Sequence, residues 1–247
     1  MYLKIHINLL SNTMNNGKRL HDSLYLKENR YDNIKENFKF IIKILKKNIK
    51  SNKKYKLLDV GCANGELIYN LHKNFTNLEI SGCDIRQDLM DKAKKNLKKK
   101  VNFYKRDITK KKLIIAKFDI IICAGTIACA DDLKLILKNL TSNLKPKGQL
   151  YIFSNLNVYD VNVFTRYEDI KNNKDILQSG WNIWSMKAIK DYFLNKKKVE
   201  FFKFYSKNGR KQNKKDLMRS WTIKIDGKNF YTNGLTIIQN QFLVKIS

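Results

Sequence analysis

At 247 residues the chain suits one large domain, or a compact domain with an insertion, whose core needs no disulfide or structural metal. Hydrophobic residues make up 43% and aromatics 11%, which excludes a disordered tail, and no uncharged apolar run approaches the roughly 20 residues that cross a bilayer. Fifty Lys and Arg against 22 Asp and Glu leave a formal charge of +28.

Such a charge points to nucleic acid, a membrane surface or an anionic substrate. Nearly all of it is Lys, however; Arg stands only at positions 19, 30, 86, 106, 166, 210 and 219. The chain is also rich in Asn and Ile and has a single Pro, the bias that A/T-rich codons produce, so the charge reads equally as composition. The first dozen residues, MYLKIHINLLSN, are too polar for a secretory signal, and a cytoplasmic protein is expected. Cys62, Cys83, Cys123 and Cys129 form no CxxC pair, and the three histidines give no zinc spacing; no metal is expected.

Residues 1–50 read as an N-terminal helical cap segment. A polar stretch precedes Ile34, Phe38, Ile41, Ile42 and Leu45, whose spacing predicts a helix that Asp32 or Asn33 can cap. Residues 51–247 read as one domain. YKLLDVGC, LEISGCDI, VNFYKRDI, FDIIICAG and QLYIFSNL are apolar runs separated by helical ones, which predicts a parallel sheet with helices on both faces. This cofactor half covers about 55–155. A polar segment at 156–183 carries Tyr159, Phe164, Tyr167 and Trp181 and is too long for a simple loop. SMKAIKDYFLNKK is helical and VEFFKFYSK a strand; 206–222 is a second insertion, and WTIKIDGKNFYTNG with LTIIQNQFLVKI makes an antiparallel ending. The expected architecture is α/β: a three-layer, doubly wound, seven-stranded and mostly parallel sheet with an antiparallel C-terminal strand, an N-terminal helical cap and an insertion after strand five.

LLDVGCANGELI, residues 57–68, carries the chemistry. A strand ends near Asp59, and the small residues Gly61, Ala63 and Gly65 alternate before a helix, so backbone can approach a ligand at that helix's N-terminus. The run from Lys56 to about Ile152 resembles the class I S-adenosylmethionine-dependent methyltransferases, with Asp59, Gly61, Ala63 and Gly65 matching their D/E-x-G-x-G-x-G turn. The resemblance implies S-adenosylmethionine as cofactor. It puts Asp84, ending the second strand, on both ribose hydroxyls, and Asp107, after the third, on the adenine amino group. Ile85 and Ile108 would flank the adenine, Cys62 would lend backbone, and Ala124 would end the fourth strand beside the methyl group. As residue chemistry alone, Asp107 can equally close a turn through its own side chain.

Acceptor contacts should come from the ends of strands four and five and from the added segments. The candidates are Gly125, Thr126, Asn155, Asn157, Tyr25 and Tyr31, with His21 as candidate base; Asp131 and Asp132 are helix-capping types. After strand four neither N/D-P-P-Y/F nor a Pro-Cys pair occurs, so the motifs of exocyclic-amine and cytosine-carbon nucleic-acid methyltransferases are missing. The expected acceptor is a small anionic or phosphorylated metabolite, such as a surface-polysaccharide precursor. RNA methylation is the alternative, and a non-catalytic cofactor- or RNA-binding module a second one. The N-terminal segment and 156–183 should close over the cofactor.

Overall fold

The apolar runs become the strands of one sheet in the computed structural model, which describes residues 20–97, 101–110, 116–170, 173–212 and 218–247. β1 (Tyr55–Val60), β2 (Leu78–Asp84), β3 (Asn102–Lys105), β4 (Phe118–Ala124) and β5 (Leu144–Asn157) are parallel, in spatial order 3-2-1-4-5. Then follow a hairpin of β6 (Arg166–Asp169) and β7 (Asn173–Ser179), a two-residue β8 (Trp184–Ser185) and β9 (Val199–Lys203). A second hairpin, β10 (Trp221–Ile225) with β11 (Lys228–Thr232), precedes β12 (Gln241–Ile246). β12 lies antiparallel between β5 and β9 and completes the expected seven-stranded path.

Helices cover both faces, and alternate residues of each inner strand feed opposite layers. Leu57, Ile120 and Ile122 pack under α2 (Glu36–Asn48), α3 (Glu66–Asn74) and α4 (Gln87–Asn96); Leu58, Ile121 and Cys123 pack under α5 (Leu133–Ser142) and α6 (Met186–Phe193). This is why β4 reads as continuously apolar. A short α1 (Leu24–Lys27) follows a single turn at Leu20–Ser23 and buries no side chain of its own.

Two local expectations are corrected. An eighth strand, β8, pairs with Leu156 and Asn157, because β5 outruns the stretch that β12 covers and its end needs another partner. α2 starts at Glu36 with Lys35 as N-cap and no side-chain cap, because Asp32 instead meets Lys73 at 2.9 Å and Tyr69 at 3.2 Å. Within the insertion 156–183, β6–β7 forms a hairpin anchored by Asn182. That side chain is buried and bonds Ala130 O, Asp131 and Thr165 N at 2.7–2.9 Å. A two-residue turn at Asp226 and Gly227, both at positive φ, closes β10–β11.

Candidate functional site

A cavity of about 820 Å³ opens at the carboxyl ends of β1, β2 and β4, where the strand order reverses. Its floor is the β1–α3 loop. Gly61 has φ +74, and a β carbon there would stand 1.9 Å from Thr126 Oγ1; only glycine permits that approach. Ala63 is also left-handed, at φ +46, and its N–H donates to Asp84 Oδ2 at 2.9 Å. Asp84 Oδ1 accepts from Arg86 N at 2.9 Å. The carboxylate is thus fixed at the end of β2 with one hydrogen bond to each oxygen, leaving acceptor capacity on both. Burial is the main force raising its pKa.

Asp59 lies behind it, 2% exposed, and its pKa is pushed up to about 7 by desolvation first and by the Asp84 charge second. Burial raises the Cys62, Cys83 and Cys123 thiols as well, so these are inert packing groups.

Of the residues singled out in the sequence, Asp59, Gly61, Cys62, Ala63, Asp84, Ile85, Asp107, Ile108 and Ala124 all line this one cavity, together with Tyr25, Gly125 and Thr126. Ile85 is a large apolar side chain left 37% exposed on the wall. Asp107 also closes a turn, accepting from Thr109 N and Oγ1 at 2.8 and 2.7 Å.

Gly65 is not on the wall. It is the left-handed N-cap of α3, where a β carbon would lie 2.9 Å from Ala93 Cβ. Tyr31 is buried away from the cavity with its hydroxyl on Asn64 O at 2.5 Å. Asn155 stays within β5 opposite Gln241, and Asn157 closes its own turn through Val161 O and Tyr159 N. None of these three belongs to the pocket lining. Tyr159 is 74% exposed and contributes nothing there, whereas Trp181 does. His21 falls on the Leu20–Ser23 turn, but its side chain lies outside the described residues. Asp132 caps α5 through Leu135 N, and Asp131 pairs with Arg166 at 2.5 Å. The described part of 206–222 does not line the cavity either: Ser206, Lys207 and Asn208 bind Glu36 on α2, while Arg219 meets Glu28 at 2.7 Å.

Several wall residues escaped sequence reasoning. Lys35 pairs with the buried Glu66 at 2.9 Å and stands 5.1 and 5.2 Å from the Tyr25 and Phe38 ring centres; desolvation lowers its pKa. Arg86 grips Asp88 with two hydrogen bonds and reaches Ser23 Oγ. Arg86, Arg106 and Arg166 all stand on the wall, and the rarity of arginine was the signal available for them. Segment 20–33 roofs one side: Lys92 on α4 donates to the carbonyls of Tyr25, Leu26 and Glu28, and Asn64 donates to Tyr25 O. Arg166, Leu177, Gln178, Ser179 and Trp181 wall the other side. Among the described residues the lining holds seven carboxylates and five cationic groups, so a chain of charge +28 carries an acidic cavity.

Comparison with known proteins bears on this geometry. A family model described as "Methyltransferase domain" matches residues 51–219. A curated relative, ubiquinone biosynthesis O-methyltransferase of Coxiella burnetii, is 32% identical over 104 residues, 41% of this chain and 43% of its own length. The match thus spans less than half of that relative. Among solved structures, an S-adenosylmethionine-dependent methyltransferase from Clostridium acetobutylicum shares 16% identity at TM-score 0.53 over 87% of this chain and 93% of its own. Another, from Mesorhizobium loti, shares 11% at 0.54 over 83% and 95%. At those identities the two structures speak for the fold alone.

Proposed function

The chain belongs to the methyltransferase-domain family, and on that premise we propose that it moves a methyl group from S-adenosylmethionine to a small acceptor held beneath segments 20–33 and 156–183. The observation that carries the reading is the Asp84 carboxylate, fixed on the wall with acceptor capacity on each oxygen. Two neighbouring hydroxyls of a ribose are a partner of matching spacing and polarity. The rest of the donor set fits the same group. The cofactor is cationic at its sulfonium and its ammonium, and the cavity is the acidic part of a basic protein. Ile85 and Ile108 offer apolar contact for a base, and Asp107 offers an acceptor for an exocyclic amine.

S-adenosylmethionine supplies a methyl group already activated on sulfur, so the chain's task is mainly positional. Asp84 and Asp107 would hold the two ends of the nucleoside. The floor at Gly61 and Ala63 would let backbone come close, and Thr126, Cys129 and Trp181 would shape the space in front of the methyl group. The roof from Tyr25 and the wall from Arg166 to Trp181 would keep water out. Lys35 and Arg166 are the cations that would meet an anionic acceptor, such as a phosphorylated surface-polysaccharide precursor. Each is paired with a carboxylate, so such a group would have to displace Glu66 or Asp131. RNA is the weaker reading, because a phosphodiester entering this cavity meets more carboxylates than cations. The site does not depend on a membrane span, and a cytoplasmic location suits this reading.

Asp84→Ala should weaken S-adenosylmethionine and its demethylated product together, by about 1.5–3 kcal/mol for a charged hydrogen-bond acceptor. Calorimetric titration and ligand-induced thermal shift read it directly. A nicotinamide dinucleotide binding as tightly as S-adenosylmethionine would refute the assignment.

A further inference from the structure

The opposite end of the sheet carries its own signal. There the parallel strands begin, and short loops bring lysines from four separate stretches of chain to one edge. The α2–β1 loop presents Lys50, Lys53 and Lys54, Lys117 immediately precedes β4, the first residues of β5 include Lys147, and the α6–β9 loop presents Lys196; all six are exposed. Backbone and side-chain bonds tie these loops together: Asn77 donates to the carbonyls of Lys50 and Lys53, Lys56 N donates to Asp119, and Phe118 N donates to Asn143 O. At the far side, Lys198 and Ser247 exchange backbone hydrogen bonds. The carboxylates at the starts of β2, β4 and β9 are each already paired with a lysine: Glu79 with Lys56, Asp119 with Lys145, and Glu200 with Lys198 and Lys245. None of the six exposed lysines forms an ion pair with a described carboxylate. The molecule is therefore polarised along its strands, with an acidic cavity at one end and an uncompensated basic edge at the other.

We propose that this edge docks the protein on an anionic phospholipid bilayer, leaving the cavity mouth turned toward solvent. A diffuse negative surface asks only for several cations within a Debye length, about 10 Å at 0.1 M salt, and lysine meets that need as a point charge. Leu194, 65% exposed beside Lys196, adds an apolar residue that can enter the interface. The same edge is poorly made for RNA. It contains no arginine fork, and neither of the two best-formed cavities among the described residues lies on it. The aromatic rings beside these lysines, Tyr55 and Tyr192, are already covered by the Lys53 and Lys196 ammonium groups at 5.2 and 5.4 Å, and Lys50 N donates to the Tyr55 hydroxyl.

The test uses the full chain and co-sedimentation with vesicles of phosphatidylcholine containing about one-third phosphatidylglycerol, at about 0.1 M salt. Binding is expected to these vesicles and not to pure phosphatidylcholine. The variant K53E/K54E/K147E/K196E should lose at least roughly tenfold in vesicle affinity. K134E/K207E/K211E/K224E, which carries the same charge change on exposed positions elsewhere, should stay within about twofold of the parent. Both variants should retain S-adenosylmethionine binding and melt at the same temperature as each other, no lower than the parent, which separates docking from folding and from the reading of the cavity. Equal loss in the two variants, binding to neutral vesicles, or tighter binding to single-stranded RNA through the same four lysines would each overturn the proposal.

Discussion

Asp59 is the side chain whose chemistry burial changes most. Its carboxyl is held up to about 7 by lost hydration and then by Asp84, against 3.8 for the free group. Because the folded value lies above the unfolded one, the contribution to stability is complete below about pH 4 and is lost as pH rises through about 7. At about 1.4 kcal/mol per pH unit the loss amounts to a few kcal/mol. Asp59→Asn should therefore be more stable than the parent at pH 8 and show a flatter profile between pH 4 and 7 in urea denaturation; parallel profiles would show that Asp59 ionises normally. A cation bound at the wall favours the charged carboxylate, so S-adenosylmethionine binding near pH 6 should release a fraction of a proton, measurable as a buffer-dependent heat. The Asp84 and Asp107 positions were legible because strand ends announce themselves in an apolar pattern. Lys35 and Glu66 were not: their pairing joins residues 31 apart, and neither belongs to a recognisable spacing.

Among the elements, α1 depends most on polar contacts. It buries no side chain, so the hydrophobic effect does not hold it in place. The clamp is Lys92, whose ammonium donates to three carbonyls at or near the helix end, with help from Tyr31 on Asn64 O and Asn70 on Tyr31 O. Lys92→Met keeps the aliphatic stem and removes all three donors. Amides of residues 22–33 should then exchange faster by about tenfold or more, while those of β1 and β4 are unchanged. Added S-adenosylmethionine should restore much of the protection if this segment is a roof. Uniformly faster exchange across the sheet would instead make Lys92 a general stabiliser. The 156–183 hairpin differs, because Asn182 and Trp184 anchor it to the loop after β4 through buried hydrogen bonds. A polar sequence hid this, since its order comes from two anchors and not from an apolar face.

For the whole molecule, a net charge of +28 sets the response to salt. Like charges repel more in the compact state than in the extended chain, and screening relieves that repulsion. The melting temperature should rise by several degrees between about 0.02 and 0.2 M sodium chloride. A flat or falling curve would show that local ion pairs outweigh the net repulsion. The pattern also separates two uses of charge that the total conceals, since the cavity is acidic although the chain is basic.

Sequence by itself determined the alternation of strands and helices, the parallel sheet, the antiparallel ending and the glycine loop with its carboxylates. Those features rest on local periodicity and on residue types that permit particular backbone angles, which can be read within a dozen positions. Tertiary structure alone decided that Tyr31, Asn155 and Asn157 turn away from the cavity, and that Arg86, Arg166 and Lys35 turn toward it. It likewise decided that lysines from four separate stretches of chain share one edge. Which way a side chain faces, and what stands opposite it, is set by packing between segments far apart in the chain, and no local pattern encodes that.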